Sequence, residues 1–417
     1  MERLRFGAFA APHHPLGESP TLLFRRDIAL AKQLDDLGYD EYWVGEHHSS
    51  GWETIGSPEL LLAAAAEHTR TISLGTGVIS LPYHHPFNVA QRLAQLDHQS
   101  RGRVIFGSGP GALPSDAHTL NIDPMLQRDR QDEALGVIMR LLRGEDRFSH
   151  ESDWFTLKDA QLQILPVQEE MEAATASSLS PSGMQLAGKH GTGVLSIAST
   201  SSEGLAALPT QWAFAEEAAR QHGRTVSRKN WRVLMSWHIA ETKEQAQQEA
   251  LLGLQRWHNE YNVDILGRPG AVRVEDPWQL LDQVAGGGTS GTAVVGTPDD
   301  LVRAIRNLYE VTGGFGVVVG FAHDWANHEA TKRSWDLIAR YVIPEINGQL
   351  RNLRGSADFL RANQRNLMDR ASKAVLAKIA STPGAMEALQ VTMAERSTAS
   401  AASSEWRPGA DITSNAE

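Results

Sequence analysis

Short β-branched or aromatic runs alternate with helical patterns along most of this chain, and no other feature limits its fold as strongly. Such alternation is the mark of a parallel sheet built from strand–helix units. Strands are predicted at Leu4–Ala10, Tyr39–His48, Ile72–Ile79, Val104–Gly107, Met171–Ser177, Gly193–Ala198, Arg232–Ile239 and Gly316–Gly320. Helical patterns intervene at Leu22–Leu37, Pro58–Glu67, Pro86–Gln99, Arg128–Leu142, Gly183–His190, Glu203–His222, Thr242–His258, Thr297–Val311 and Asn327–Ile343. Eight such strands favour an α/β fold closed as a (β/α)8 TIM barrel. An open doubly wound sheet satisfies the same alternation, because strand order cannot be read from a sequence.

Three segments lie outside the repeat. Gly144–Lys158 is a polar stretch that delays the fifth strand. Asn259–Gly291, with Gly267-Arg268-Pro269-Gly270 and Gly286-Gly287-Gly288, reads as an irregular insertion between elements seven and eight. Long loops of this kind in compact enzymes are often lids, and a solvated excursion is the alternative. After the barrel, residues 1–348, a helical C-terminal extension is expected over 349–396, with a disordered Ser/Ala/Thr-rich tail over 397–417.

Composition narrows the class of function. The 417 residues include no cysteine, which removes disulfide scaffolds, thiolate metal sites and cysteine nucleophiles. Fifty acidic against 39 basic residues give a net charge of −11, unsuited to nucleic acid or an anionic membrane. No run approaches the ~18 apolar residues of a membrane-spanning helix. A strand pattern begins at once from Met1, which leaves no room for a signal peptide, so a cytoplasmic protein is expected.

Three His-His pairs, His13-His14, His47-His48 and His84-His85, each follow a predicted strand. In a (β/α)8 barrel that end holds the active site. Adjacent strand residues point to opposite sides, so at most one histidine of each pair faces the barrel axis. A catalytic metal, a catalytic or substrate-contacting imidazole, and a histidine satisfied by loop hydrogen bonds are the three readings. Gly107-Ser108-Gly109-Pro110-Gly111 lets backbone approach a ligand but is neither G-x-G-x-x-G nor a P-loop. Ser178-Leu179-Ser180-Pro181-Ser182-Gly183 precedes a helix expected from about Met184. Hydroxyls beside free helix N–H groups suit a phosphate, and ordinary capping by Ser182 is the alternative.

Tyr39-Asp40-Glu41-Tyr42-Trp43-Val44-Gly45-Glu46-His47-His48, Leu74-Gly75-Thr76-Gly77-Val78 with Leu81-Pro82, Leu96-Asp97 and Arg101-Gly102-Arg103 together resemble the bacterial luciferase-like family of flavin-dependent monooxygenases. Ser180-Pro181-Ser182-Gly183, Ala187-Gly188-Lys189-His190-Gly191, Gly296-Thr297-Pro298 and Gly320-Phe321 continue the match in order, over about residues 4 to 346. Within the family the chain looks most like the limonene 1,2-monooxygenase and alkanal monooxygenase group.

The resemblance implies a barrel that holds reduced FMN (FMNH2) at its C-terminal face, with FAD or a deazaflavin as alternatives. It further implies that a separate flavin reductase supplies the cofactor, which reacts with O2 through a C4a-peroxyflavin to oxygenate a small apolar substrate such as a terpene, ketone or aldehyde. A homodimer is the expected assembly. His47 matches the family's active-site histidine, and Gly77-Val78 its non-prolyl cis peptide beside the flavin. Ser180, Ser182 and Gly183 fall where the family cradles the flavin phosphate, and Asp116 near its acidic residue after strand four. Luciferase proper has Cys-Arg where this chain has Gly109-Pro110, so Arg128 or Arg130 is expected to replace the missing phosphate arginine. Trp43, Phe106, Trp237 and Phe321 are candidates to line a dry pocket, which this chemistry needs, although each would equally serve core packing. Two other readings stay open: a metal-dependent (β/α)8 hydrolase using the His-His strand ends, and a non-catalytic flavin-binding protein.

Overall fold

Period-two alternation within each strand sorts side chains into two layers. In the computed structural model these are the inside and the outside of a closed barrel. The structure describes residues 3–11, 13–197, 201–285 and 292–403, with backbone only from 395. The strands are β1 (Arg5–Ala10), β2 (Glu41–Val44), β3 (Ser73–Thr76), β4 (Ile79–Ser80), β5 (Val104–Gly109), β6 (Phe148–Glu151), β7 (Thr156–Ala160), β8 (Ala173–Ser177), β9 (Gly193–Ser196), β10 (Trp231–Ile239), β11 (Ala293–Gly296) and β12 (Val317–Phe321). Parallel pairing runs β1-β2-β3-β5-β8-β9-β10-β12 and returns from β12 to β1, which closes eight strands into a barrel. The open-sheet alternative is thereby excluded.

Outward residues such as Phe6, Tyr42, Leu74, Phe106 and Val318 meet Leu34, Leu62, Leu93, Ile138 and Ile305 of the surrounding helices. Inward residues Phe9, Trp43, Ile105, Ala174, Leu195, Leu234 and Val319 fill the barrel. Trp43 fits there because Gly75 and Gly107 carry no Cβ; one added at Gly75 would lie 2.4 Å from the indole. Below it, at the N-terminal end, fully buried Arg232 donates to Glu41 at 2.8 and 3.0 Å and also bonds Glu172. Arg5 pairs with Glu41 at 3.0 Å, and the Arg232 guanidinium lies 5.1 Å from the Trp43 ring centre. This ion-pair plug closes the end of the barrel away from the mouth.

The sequence reading needs correction in four places. The polar stretch Gly144–Lys158 contains most of an antiparallel hairpin, β6–β7. The insertion is largely regular: the helix Lys243–Arg256 continues as a wide π-helix, Trp257–Ile265, followed by the helix Pro277–Ala285. Leu280 and Leu281 pack with Ala246, Leu254, Val295 and Trp325 in a core of their own, so this segment is no mere surface loop. Strand β11 extends the sheet beside the upper half of β10. Among the candidate pocket aromatics, Phe106 and Trp237 belong to the outer layer. Ala198 and Gly286–Gly288 lie outside the described residues.

Residues 1–348 form one compact unit and 349–417 a second. The second consists, among its described residues, of the helices Arg351–Ala380 and Ala385–Ser403. The tail expected from Ser397 starts inside the latter helix, and residues 404–417 lie outside the described residues. No helix among the described residues is long and apolar enough to cross a membrane.

Candidate active site

The C-terminal ends of β1, β2 and β12 carry most of the polar groups at the barrel mouth. Each His-His pair divides its work. His13 turns to the mouth, while His14 Nε2 donates to Asp27 at 2.8 Å and Nδ1 lies 2.5 Å from Thr54 Oγ1. His48 and His84 both donate Nε2–H to Glu46 Oε1, at 2.8 and 2.6 Å, and Ser80 N donates to the other oxygen at 2.8 Å. His85 Nδ1 accepts from Phe87 N at 3.3 Å, as a helix cap. Burial alone would raise the Glu46 carboxyl, but the hydrogen bonds from His48, His84 and Ser80 hold it below its ordinary range. Glu46, His48 and His84 come closest to a ligand set among the described residues, yet their bonds to one another make them a support for the strand end.

His47 is different, because both ring nitrogens face carboxylates. A carboxylate can only accept, so Nδ1 donates to Asp116 Oδ2, at 3.0 Å. Nε2 lies 3.4 Å from Glu53 Oε1. Asp116 comes from the first turn of the helix Pro114–Thr119, and its other oxygen accepts from His48 N at 3.0 Å and Ser49 Oγ at 2.5 Å. Burial by itself would lower the His47 pKa. The Asp116 hydrogen bond and the charges of Glu53, Asp116 and Glu46 outweigh it and raise the pKa above its ordinary 6.5. Asp116 is held below its ordinary range, since hydrogen bonds from His47, Ser49 and His48 N overcome the opposing effect of burial.

Beside this pair stands an aromatic cluster that sequence reasoning largely missed. His13 stacks 5.2 Å from Phe321 and 5.5 Å from His323, with the Tyr261 ring at 5.3 Å. Trp257 and Trp325 flank His323, at 5.0 and 4.0 Å. Burial, then the charges of Arg268, His47 and His14, push His13 down to about 3, and burial with His13 pushes His323 well below its usual range. Both imidazoles are therefore neutral. A cavity of about 410 Å³ adjoins the cluster, lined by His13, Trp52, Trp257 and Trp325 on one side and Arg26 and Asp324 on another. Of the four candidate aromatics only Phe321 stands at this mouth; Trp43 is a barrel filler that donates to Glu41 at 2.8 Å. The missed signal lay in Trp257 and Tyr261, assigned in sequence to the end of a helix and the start of an insertion.

The remaining candidates lie around the other side. The Gly77–Val78 peptide is cis. A Cβ at Gly77 would lie 2.6 Å from the Phe9 ring. The helix expected from Met184 starts at Ser182 with Pro181 in the cap position, so Ser182 is the first helical residue and not the cap. Ser180 Oγ accepts from Ser182 N at 3.3 Å and donates to Ser182 Oγ at 3.1 Å. A Cβ at Gly183 would lie 2.1 Å from Ala176 O, so only glycine lets this helix start so close to β8. Ser177 Oγ, at the end of β8, is buried without a partner among the described residues. Arg130 lies 5.3 Å from the Trp154 ring centre and 3.7 Å from Asp153, and its Nε is buried without a partner among the described residues.

A closed parallel barrel whose mouth gathers a doubly paired histidine, neutral imidazoles and an aromatic cavity defines a (β/α)8 enzyme site. A comparison with known families is consistent with this: the family described as luciferase-like monooxygenase matches residues 4–314, and the chain belongs to that family. It is 46% identical over 368 residues to 4-hydroxyprotoasukamycin monooxygenase of Streptomyces nodosus subsp. asukaensis, which covers 88% of this chain and 98% of the relative. It is 45% identical over 363 residues to limonene 1,2-monooxygenase of Rhodococcus erythropolis, covering 87% and 92%. Among solved structures, the oxygenating constituent of 3,6-diketocamphane monooxygenase from Pseudomonas putida, a type II Baeyer–Villiger monooxygenase in complex with FMN, aligns with a TM-score of 0.68 at 27% identity, covering 82% of this chain and 99% of that one.

Proposed function

We propose that this chain is a flavin-dependent monooxygenase that binds reduced FMN at the C-terminal mouth and oxygenates a small apolar organic substrate with O2. The observation that carries the cofactor assignment is the start of the helix Ser182–His190. Pro181 occupies its cap position, Ser180 and Ser182 stand beside its first turn, and Ser177 Oγ is buried without a partner among the described residues. These are the requirements of a phosphate cradle. In this reading Ser180, Ser182 and the first helix N–H groups hold the phosphate, while Gly77 and Val78 border the ring. Arg130 is left as an auxiliary cation.

Bound reduced flavin would supply the two electrons with which one atom of O2 enters the substrate and the other leaves as water. The protein's part is to bind, to exclude water and to move a proton. His47 Nε2 is the proton-carrying atom, and Asp116 fixes the ring through Nδ1. Trp52, Trp257, Trp325 and the neutral His13 give the substrate an apolar wall, in keeping with the terpene and ketone named in relatives. The same reading takes the flavin as delivered by a separate reductase, the chain as a cytoplasmic homodimer, and residues 1–348 as the catalytic part. FAD and reduced deazaflavin are the alternative cofactors.

The test is anaerobic titration with FMNH2, FADH2 and reduced deazaflavin, followed by admission of oxygen and a search for oxygenated product. Flavin binding with no substrate-dependent oxygen uptake would favour a flavin-binding protein. Bound zinc or iron with no flavin affinity would favour the metal-dependent hydrolase. The double variant Ser180→Ala, Ser182→Ala is expected to weaken reduced FMN by about tenfold or more, since each hydrogen bond to a charged group contributes ~1.5–3 kcal/mol. Riboflavin, which lacks the phosphate, should bind almost as before. Equal losses for both ligands would remove the serines from the phosphate site.

A further inference from the structure

Three carboxylates meet near the end of β2, and imidazoles are their only ion-pair partners. Glu46 pairs with His48 and His84, while Asp116 and Glu53 both pair with His47. Among the described residues, no lysine or arginine lies within 4.0 Å of any of these carboxylates. Imidazole is charged only when protonated, so this corner of the mouth has negative charge to spare. Glu46 concentrates it. Its carboxylate is 1% exposed, yet Oε1 alone meets His48 Nε2 at 2.8 Å and His84 Nε2 at 2.6 Å. One ligand atom from each of the three residues lies within 4.8 Å of the others. The second carboxylate oxygen accepts from Ser80 N at 2.8 Å, the kind of outer bond that orients a ligating carboxylate. The two imidazoles stay 22% and 19% exposed, which leaves an ion a way in.

We propose that Glu46, His48 and His84 form a binding site for a divalent transition-metal ion, zinc by ligand type, with water completing the coordination. Two imidazoles and a carboxylate suit zinc, whereas magnesium and calcium take oxygen ligands. The three side chains brace one another by hydrogen bonds, and the ion would take the place of those bonds as their common partner. Zinc bonds of about 2.0–2.2 Å at tetrahedral angles set ligand atoms roughly 3.3 Å apart. The two Nε2–Oε1 distances, 2.8 and 2.6 Å, therefore open by only about 0.5–0.7 Å. Each histidine turns its Nε2 lone pair to the ion and carries its proton on Nδ1, the neutral form that a metal requires. Glu46 and His48 follow β2, and His84 follows the short turn Leu81–Tyr83 after β4, so the ion would tie these two strand ends together.

The site does not rest on the flavin monooxygenase reading. The full-length protein, free of any histidine tag, is titrated with Zn2+ by calorimetry and with Co2+ by visible absorption. A single equivalent of Zn2+ is expected to bind, and excess Mg2+ or Ca2+ should not displace it. His84→Asn leaves the Glu46–His48 bond in place and should weaken zinc by at least ~10–100-fold, the loss that even an outer-shell partner causes. Glu46→Gln should weaken it likewise. His47→Asn removes the neighbouring imidazole, which faces Asp116 and Glu53, and should leave zinc affinity unchanged. No zinc binding, binding that survives His84→Asn, or binding lost in His47→Asn would each overturn the proposal. Zinc at this site together with flavin affinity leaves the monooxygenase reading standing. Zinc at this site with no flavin affinity would count against that reading and keep the metal site.

Discussion

Replacing His47 by alanine is expected to lower substrate oxygenation by about 10²–10⁴-fold, the usual contribution of a positioned general acid–base. The imidazole is held between two buried carboxylates, so its loss also leaves Asp116 and Glu53 facing one another across a gap. Asp116 keeps its bonds from His48 N and Ser49, which should let the variant fold. The comparison is His48→Ala, because His48 Nε2 is already committed to Glu46. Near-normal turnover in His47→Ala combined with collapse in His48→Ala would show that the wrong imidazole had been chosen.

The acidic surroundings of His47 also fix the sign of its pH response. Its pKa is raised above 6.5, so chemistry that needs the imidazolium should persist above pH 6.5 and fall as pH rises through the raised value. The stability linked to this group runs the same way: it is complete below pH 6.5 and is lost as pH climbs through the folded pKa. Asp116, held below its ordinary 3.8, behaves oppositely; its contribution is present above that value and is lost as pH falls through the depressed one. A pH–rate profile that rises through this range would mean that the neutral ring acts as a base.

Arg232→Ala is expected to be the most destabilising single change, by about 3–5 kcal/mol, because it strands a buried charge. Glu41 is fully buried and takes two hydrogen bonds from Arg232, and Arg232 also backs the Trp43 ring. What remains for Glu41 is Arg5, at 3.0 Å, and the Trp43 indole. Burial alone would weaken the guanidinium's hold on its proton, but Glu41 and Glu172 more than reverse this, so Arg232 stays protonated at every ordinary pH. The urea midpoint of unfolding is the measurement. A loss of less than about 1 kcal/mol, the scale of a surface ion pair, would mean that water or Arg5 replaces the lost partner.

The sequence carried much of the fold. The predicted strand Arg232–Ile239 became Trp231–Ile239, and Met171–Ser177 became Ala173–Ser177, because short apolar runs bounded by glycine or polar residues depend on near neighbours. Helix ends were legible for the same reason: Gly38, Gly191 and Gly313 each adopt the left-handed conformation that terminates the helix before them. The hairpin β6–β7 escaped because its exposure alternates over only a few residues in a polar stretch. The helix Pro277–Ala285 escaped because flanking glycines dominated the reading of that segment.

Within the candidate site, the chain by itself marked His47, Ser180, Ser182 and Gly183 as residues at strand or helix ends, the family resemblance added Gly77 and Val78, and the fold by closing put the strand ends at one mouth. It could not show which way Phe106 or Trp237 points. A one-residue change of phase reverses every side chain of a strand, and only barrel closure sets the phase. Nor could it join Glu53 and Asp116 to His47. Turns, caps and periodicity arise from interactions within a few residues and are written locally. The charge around His47 comes from groups on separate elements, and their distances exist only once strand register and helix packing have brought those elements together.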